Sequence, residues 1–250
     1  MSLSIQLVKT HEIHATIELR TGLRIGASRD TIQIGGVDNP VIRHPHSQEP
    51  YIPGSSLKGK LRTMLEWALG KVDDRQGTPW SGGAVLDQND AILRIFGTTS
   101  DRWLAGPTRV IFRDAPLSAA WRDRVLNNNL PWTEEKQEVV IDRIRGKAAG
   151  TGPRTMERVP AGAEFDLRIT FREFAVGSDG GQVDRGCFNR LLEGLKLLER
   201  DYLGGSGSRG YGQIRVKNLS RDGQSIQQAF DGMGPFSKAA PNDIAGFGES

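Results

Sequence analysis

Glu164-Phe165-Asp166-Leu167-Arg168-Ile169-Thr170-Phe171-Arg172 alternates apolar and polar side chains without a break. That two-residue period belongs to a strand with one face in a core and the other in water, so the apolar face needs a covering layer. Glu12 to Arg20 repeats the pattern, with Ile13, Ala15, Ile17 and Leu19 set against Glu12, His14, Thr16, Glu18 and Arg20. Between the two, Leu57, Leu61, Met64, Leu65 and Ala68 recur at helical spacing until Gly70 stops them. Beyond them, Phe188, Leu191, Leu192, Leu195, Leu198 and Tyr202 mark a second amphipathic helix. Thr108 to Phe112 and Gln213 to Val216 read as further strands, and Ile92 to Phe96 as a short helix.

The order β-α-β-β-α-β predicts an α+β fold with a ferredoxin-like palm, the plan also used by RRM-type modules. The palm spans residues 1–220, enlarged by an insertion at about 115–162, which is too long for an idle turn. Within it, Glu138 to Arg145 and Met156 to Val159 are expected to pair as a hairpin around a Gly146 to Gly152 tip. That hairpin is a basic finger carrying Arg143, Arg145, Lys147, Arg154 and Arg158. Residues 221–250, rich in Gly, Ser, Gln and Asp, read as a peripheral tail.

The 250 residues carry 33 basic and 30 acidic side chains, a net charge of only +3, so any polyanion site must come from clustering and not from total charge. Cys187 is the sole cysteine, which excludes an intrachain disulfide and a multi-cysteine zinc site and fits a reducing compartment, with the cytoplasm as the expectation. No apolar run approaches the roughly 20 residues that span a bilayer, and the start lacks a basic-then-apolar export pattern, so no membrane partner is expected.

Clustering is densest at Tyr51-Ile52-Pro53-Gly54-Ser55-Ser56-Leu57-Lys58-Gly59-Lys60-Leu61-Arg62. Pro53-Gly54 ends the extended run, Ser55 or Ser56 is placed to cap a helix, and the free amides of its first turn form an anion site that the helix dipole reinforces. Lys58 and Arg62, four apart, share a helical face with a further cation, Lys60, nearby. Taken alone, these charges equally describe a solvated helix face.

Gly205, Gly207 and Gly210 satisfy GxGxxG, yet they follow a helix and enter a strand, so the dinucleotide fingerprint is rejected. What remains is a bare-backbone loop that lets a polyanion approach main-chain amides, with Arg209 supplying charge. Helix, finger and loop together give three sites of the kind that phosphate contacts use.

Asp38 lies in Ile34-Gly35-Gly36-Val37-Asp38-Asn39-Pro40-Val41-Ile42-Arg43, between the first strand and the cationic helix. Asx-Pro turns are common at surfaces, but one carboxylate beside a phosphodiester also helps hold a hard divalent ion whose other ligands are water and RNA oxygens. His11 and His14 point to opposite faces of a strand and do not form a zinc pair. His44 and His46 offer an alternative acid-base pair on the same loop as Asp38.

The Ile52 to Arg62 run, the Gly35 to Val41 loop, the Pro153-Arg154-Thr155-Met156-Glu157-Arg158-Val159 stretch and the late glycine loop together resemble the RAMP superfamily. More narrowly, they resemble the repeated backbone subunits of the type III-A CRISPR effector, the Csm complex. The similarity is collinear from about Thr21 to Lys217. It implies an RRM-like palm with a projecting thumb, copies of which stack as a filament along CRISPR RNA. The other partners it implies are a small subunit, a large polymerase-type subunit, other RAMP subunits and single-stranded target RNA.

In that family the thumb displaces a nucleotide between guide and target. An aspartate in the loop after the first strand cuts target RNA at regular intervals with a divalent metal, Mg2+ or alternatively Mn2+. By motif position that aspartate, catalytic and metal-binding, is Asp38. The resemblance carries RNA contact to Ser55, Ser56, Lys58, Lys60 and Arg62, to Gly205, Gly207 and Arg209, and to the thumb residues Arg143, Arg145 and Arg154. Arg24 stands where the family often has histidine. The alternatives are a scaffold that binds guide RNA without cutting, and a metal-independent processing ribonuclease using His44 or His46.

Overall fold

The computed structural model describes residues 4–26, 40–72, 77–149 and 153–234. In chain order the elements are β1 (Ile5–Leu19), β2 (Tyr51–Ile52), α1 (Gly54–Ala68), α2 (Ala91–Phe96), β3 (Val110–Phe112), β4 (Ala115–Pro116) and α3 (Ala119–Asn127). There follow β5 (Glu134–Glu138), β6 (Ile141–Asp142), β7 (Lys147–Ala148), β8 (Arg154–Arg158), β9 (Glu164–Val176), α4 (Gln182–Arg200), β10 (Ile214–Arg221), β11 (Gln224–Ser225) and α5 (Gln227–Asp231).

The main sheet has the order β11-β10-β1-β9-β3, and every neighbouring pair is antiparallel. The alternating stretches behave as expected. Phe165, Leu167, Ile169 and Phe171 of β9 and Ile13, Ala15, Ile17 and Leu19 of β1 are buried on one face, while Glu12, His14 and Arg168 are exposed on the other. Helices α1 and α4 cover the apolar face with Leu57, Leu61 and Leu65 against Leu191, Leu195 and Leu198. Where the helices meet, Gly194 leaves no room for a side chain, since an added Cβ would lie 3.0 Å from a Leu65 methyl.

Three expectations need correction. The finger pairs differently: β5, Glu134–Glu138, is the partner of β8, Arg154–Arg158, and a second two-strand unit, β6 with β7, forms nearer the tip. Both paired segments are dominated by polar residues, so no apolar alternation fixes the register. Second, the insertion does not begin outside the palm, because Ala115, Leu117 and Val159 belong to the main core. Its unpredicted helix α3 is capped by Ser118, whose hydroxyl accepts from the Trp121 amide. Third, residues 222–231 are not a peripheral tail: β11 extends the sheet, and α5 seats Phe230, fully buried, in the core. Only residues 235–250 of that stretch lie outside the described residues.

Beneath the sheet end, a charged cluster replaces apolar packing. Asp184 at the start of α4 is fully buried and accepts from Arg94 at 2.9 Å, from Arg109 at 2.6 Å and from the Phe174 amide at 2.9 Å. It joins α2, β9 and α4, and both guanidiniums are nearly inaccessible to water. Removing one partner of such a group strands charge in a low-dielectric site, a far larger penalty than losing an exposed pair. Asp184→Ala should therefore destabilise the fold by about 3–5 kcal/mol, read as a lower urea midpoint with an unchanged slope.

Candidate nucleic-acid interface

Three of the sequence motifs, far apart in the chain, meet at the root of the finger together with Val41, the last residue of the fourth. Leu23 and Val159 exchange backbone hydrogen bonds at 2.9 and 2.8 Å, which ties the Thr21–Gly26 segment to the end of β8. On the other side of that segment, the glycine loop packs main chain against main chain: Gly205 N–H donates to Arg24 C=O at 2.8 Å and Gly212 N–H to Gly22 C=O at 2.9 Å. Side chains at Gly204 or Gly212 would overlap the Arg24 or Leu203 carbonyl, and both glycines have positive φ.

Carboxylates on the finger strands complete the junction. Glu138, at the end of β5, accepts from the Tyr211 hydroxyl at 2.8 Å and from Arg209 at 2.9 Å. The Tyr211 hydrogen bond and then the Arg209 cation hold the Glu138 carboxyl below the ordinary range, against a smaller opposing effect of burial. Burial, and then the Glu138 carboxylate, push the Tyr211 hydroxyl up. Arg158 reaches Glu134 at 2.6 Å and stacks over the Tyr211 ring with its guanidinium 5.1 Å from the centroid.

Glu157 points the other way, into the returning arm of the Asp38 loop. It accepts from the Val41 amide at 2.7 Å, from the Thr133 hydroxyl at 2.7 Å and from the Arg43 guanidinium. Burial pushes its carboxyl up, but these three donors outweigh that and hold it below the ordinary range. Asp38 itself lies outside the described residues. His44 and His46 are exposed in the next turn, where the His44 Nδ1 accepts from the His46 and Ser47 amides.

Helix α1 joins the same region through Lys60, which pairs with Asp201 at 2.6 Å and sits 3.9 Å from the Tyr202 ring centroid, just before the glycine loop. Lys60 is therefore an internal tie and not a free contact for RNA. Arg62 is also committed: it binds Glu66 at 2.7 Å, Gly97 C=O at 3.0 Å and Trp80 C=O at 2.7 Å, beside a cavity of about 670 Å³ lined by Trp80, Phe96 and Thr108. The serine cap is not formed. The capping position is Pro53, and the Asp114 carboxylate takes the Gly54 amide at 2.7 Å, so the protein already places one anion at this helix start.

What stays open at α1 is Ser55, exposed, and Ser56 and Lys58, half-buried. Burial, and then the neighbouring Arg62 charge, push the Lys58 ammonium down; among the described residues it has no carboxylate partner. On the finger, Arg143, Arg145 and Arg154 are exposed. Arg209 is bound to Glu138 yet keeps most of its surface in water.

Gly207 has a structural reason of its own, because a Cβ there would run into the Tyr202 ring, whereas a Cβ at Gly205 would meet only ordinary contacts with Arg24. Sequence reasoning missed Glu157, Glu138, Thr133, Arg43 and Tyr211. The available signal was a carboxylate, Glu157, retained in the middle of a basic strand.

An open sheet backed by two helices, with a projecting finger rooted beside a glycine loop, is the class of domain that the RAMP superfamily describes, and that family's model matches residues 16–215. The chain belongs to the RAMP superfamily. Among its relatives is the CRISPR system Cms endoribonuclease Csm3 of Methanothermobacter thermautotrophicus, 40% identical over 227 residues, covering 84% of this chain and 85% of the relative. The Streptococcus thermophilus protein of the same name is 42% identical over 207 residues, covering 82% and 86%. A solved Csm3-Csm4 subcomplex of the type III-A CRISPR-Cas interference complex aligns with a TM-score of 0.52 at 29% identity, covering 91% of this chain and 86% of the matched one.

Two glycine substitutions separate packing from helix propensity. Gly207→Ala should lower the melting temperature, because the tyrosine ring must move. Gly59→Ala, in α1 with open space around it, should raise stability by about 0.5–1 kcal/mol, both read by thermal and urea unfolding.

Proposed function

We propose that this chain is a backbone subunit of a type III CRISPR effector, binding guide RNA along its palm and finger and cutting the paired target RNA. The observation that carries this is the convergence of α1 through Lys60, the described arms that flank residues 27–39, the β8 stretch and the glycine loop. Relatives named endoribonucleases at about 40% identity over most of the chain support the same reading.

In this reading the palm is ferredoxin-like. The strand order β10-β1-β9-β3, with helices α1 and α4 as the crossovers, supports it. Guide and target pair with each other, so the protein reads backbone and shape rather than sequence. Phosphates are met by the Ser55 to Lys58 turn, where a cation without a carboxylate partner among the described residues sits beside helix amides, and by Arg209, Arg143, Arg145 and Arg154. Further copies of the chain, and other subunits of the effector, extend the surface along the guide.

Asp38 is the cutting residue. RNA supplies its own nucleophile: the ribose 2′-hydroxyl loses its proton to water as its oxygen bonds to phosphorus, the bond to the 5′-oxygen breaks, and the departing oxygen takes a proton from water, leaving a 2′,3′-cyclic phosphate and a 5′-hydroxyl. Among the described residues no three His, Cys, Asp or Glu side chains come together to hold a metal ion. A single carboxylate from Asp38 fits an ion whose remaining ligands are water and RNA oxygens. Such a divalent cation, when bound, supplies positive charge to the scissile phosphate.

Asp38→Ala should leave guide binding and particle assembly intact and abolish target cutting, and EDTA should abolish cutting by the wild type. Mutant particles that still cut in magnesium would end the assignment to Asp38, and undiminished activity in EDTA would end the metal. Replacing Arg143, Arg145 and Arg154 together by Ala should weaken RNA binding for every sequence. It should also flatten the salt dependence, by about 0.7 in logarithmic slope for each phosphate that is no longer neutralised. A loss confined to one sequence contradicts the backbone role.

A further inference from the structure

Gly26 and Val41 face each other in an antiparallel bridge, and Ile42 N–H donates to Ile25 C=O at 2.8 Å. The described residues on either side of 27–39 therefore lie side by side. The outgoing arm is fixed by backbone, through the Leu23–Val159 pair and the Arg24–Gly205 hydrogen bond. The returning arm is fixed to the finger through Glu157 of β8, which is almost fully buried, and through the Thr133 hydroxyl that Glu157 and Arg43 share.

The chemistry of that contact demands a carboxylate. One oxygen takes the Val41 amide, and the other takes both Arg43 and the Thr133 hydroxyl. Arg43 also donates to the Thr133 oxygen at 2.8 Å, which orients the hydroxyl proton toward Glu157. Donors thus face both oxygens. A glutamine, with one oxygen and one NH2, meets an obligate donor with its own NH2 whichever way the amide turns. Shape alone would not choose glutamate here, since β8 is otherwise a short basic strand.

We propose that Glu157 is a positioning residue: it fixes the returning arm, Val41 to Arg43, to the root of the finger, and target cutting depends on that fixture. This rests on the assignment of Asp38 given above, three residues before Val41. Glu157 touches no reacting atom. It acts by coupling the finger, which lies against the nucleic acid, to the arm that leads into the cutting loop, so that one cannot shift without the other.

The test compares Glu157→Gln, Arg43→Gln and Asp38→Asn, each in the full chain and in assembled particles. Hydrogen exchange of the full Glu157→Gln chain should accelerate about tenfold at Val41 and Ile42, while amides of the β5–β8 pair stay protected. In particles, cutting at saturating target should fall about tenfold to a hundredfold, the effect of a small misplacement at a reacting centre, with target affinity within about twofold of wild type. Arg43→Gln should act in the same direction and less strongly, and it carries the test if Glu157→Gln does not fold.

The proposal is overturned by Glu157→Gln particles that cut at the wild-type rate, by a loss that appears only as weaker RNA binding, or by exchange that spreads through the whole finger. Asp38→Asn separates the two claims. If it cuts normally, the assignment of Asp38 fails; if it is inactive while Glu157→Gln cuts normally, only the positioning role fails.

Discussion

Carboxylates at the root of the finger hold the functional surface together, and the geometry of that surface depends on them. Glu134 takes Arg158, Glu138 takes Tyr211 and Arg209, and Glu157 takes Arg43, Thr133 and the Val41 amide. Each bond crosses between segments that are distant in the chain. Exposed pairs of this kind contribute little individually, but Glu157 and Tyr211 are buried, and a buried donor or acceptor left unmatched carries the full desolvation cost. The arrangement therefore acts through specificity: it permits one placement of finger, loop arm and glycine loop and penalises the others.

Under the proposed function, that same network is how a chain with a net charge of only +3 can meet a polyanion. Glu138 and Glu157 at the junction are largely turned inward and engaged there, and Glu134 is paired with Arg158, while Arg143, Arg145 and Arg154 are exposed, Arg145 with a 3.9 Å contact to Asp142. Segregation of the two signs, not their sum, produces the field that a polyanion meets.

The sheet and its two helices were legible in the sequence because burial imposes a period. Phe165 to Phe171 and Ile13 to Leu19 alternate since every second side chain faces the core, and Leu57 to Leu65 repeat at helical spacing for the same reason. The finger has no such period, since β5 reads Glu-Glu-Lys-Gln-Glu and β8 Arg-Thr-Met-Glu-Arg, and the polar contacts of Glu157 leave no mark on a hydropathy pattern. The 222–231 stretch was hidden because only Phe230, fully buried, and Ile226, partly buried, anchor it among polar neighbours. The motifs were legible as a set, but the job of each side chain was not. Lys60 and Arg62 look identical in sequence to Lys58, and only their distances to Asp201, Glu66 and the Trp80 carbonyl reveal that they are already engaged.

Lys58 shows what the contrast means physically. Two residues further along α1, Lys60 is neutralised by Asp201 and rests on an aromatic face. Lys58 loses solvent to burial, sits beside the Arg62 charge, and among the described residues receives no carboxylate in return, so its ammonium is held below the ordinary lysine value. A charge in that condition is destabilising in the free protein and is relieved by an anion. The first turn of α1 adds the Ser55 and Ser56 hydroxyls and the positive end of the helix dipole. Asp114 takes the Gly54 amide at this helix start, and under the proposed function a phosphodiester supplies oxygen acceptors to Lys58. Under the proposed function, RNA binding at this point draws on the removal of an unfavourable interaction built into the free fold, which singles out the least satisfied cation on the helix, and not the most strongly bound one, as the proposed contact to the guide backbone.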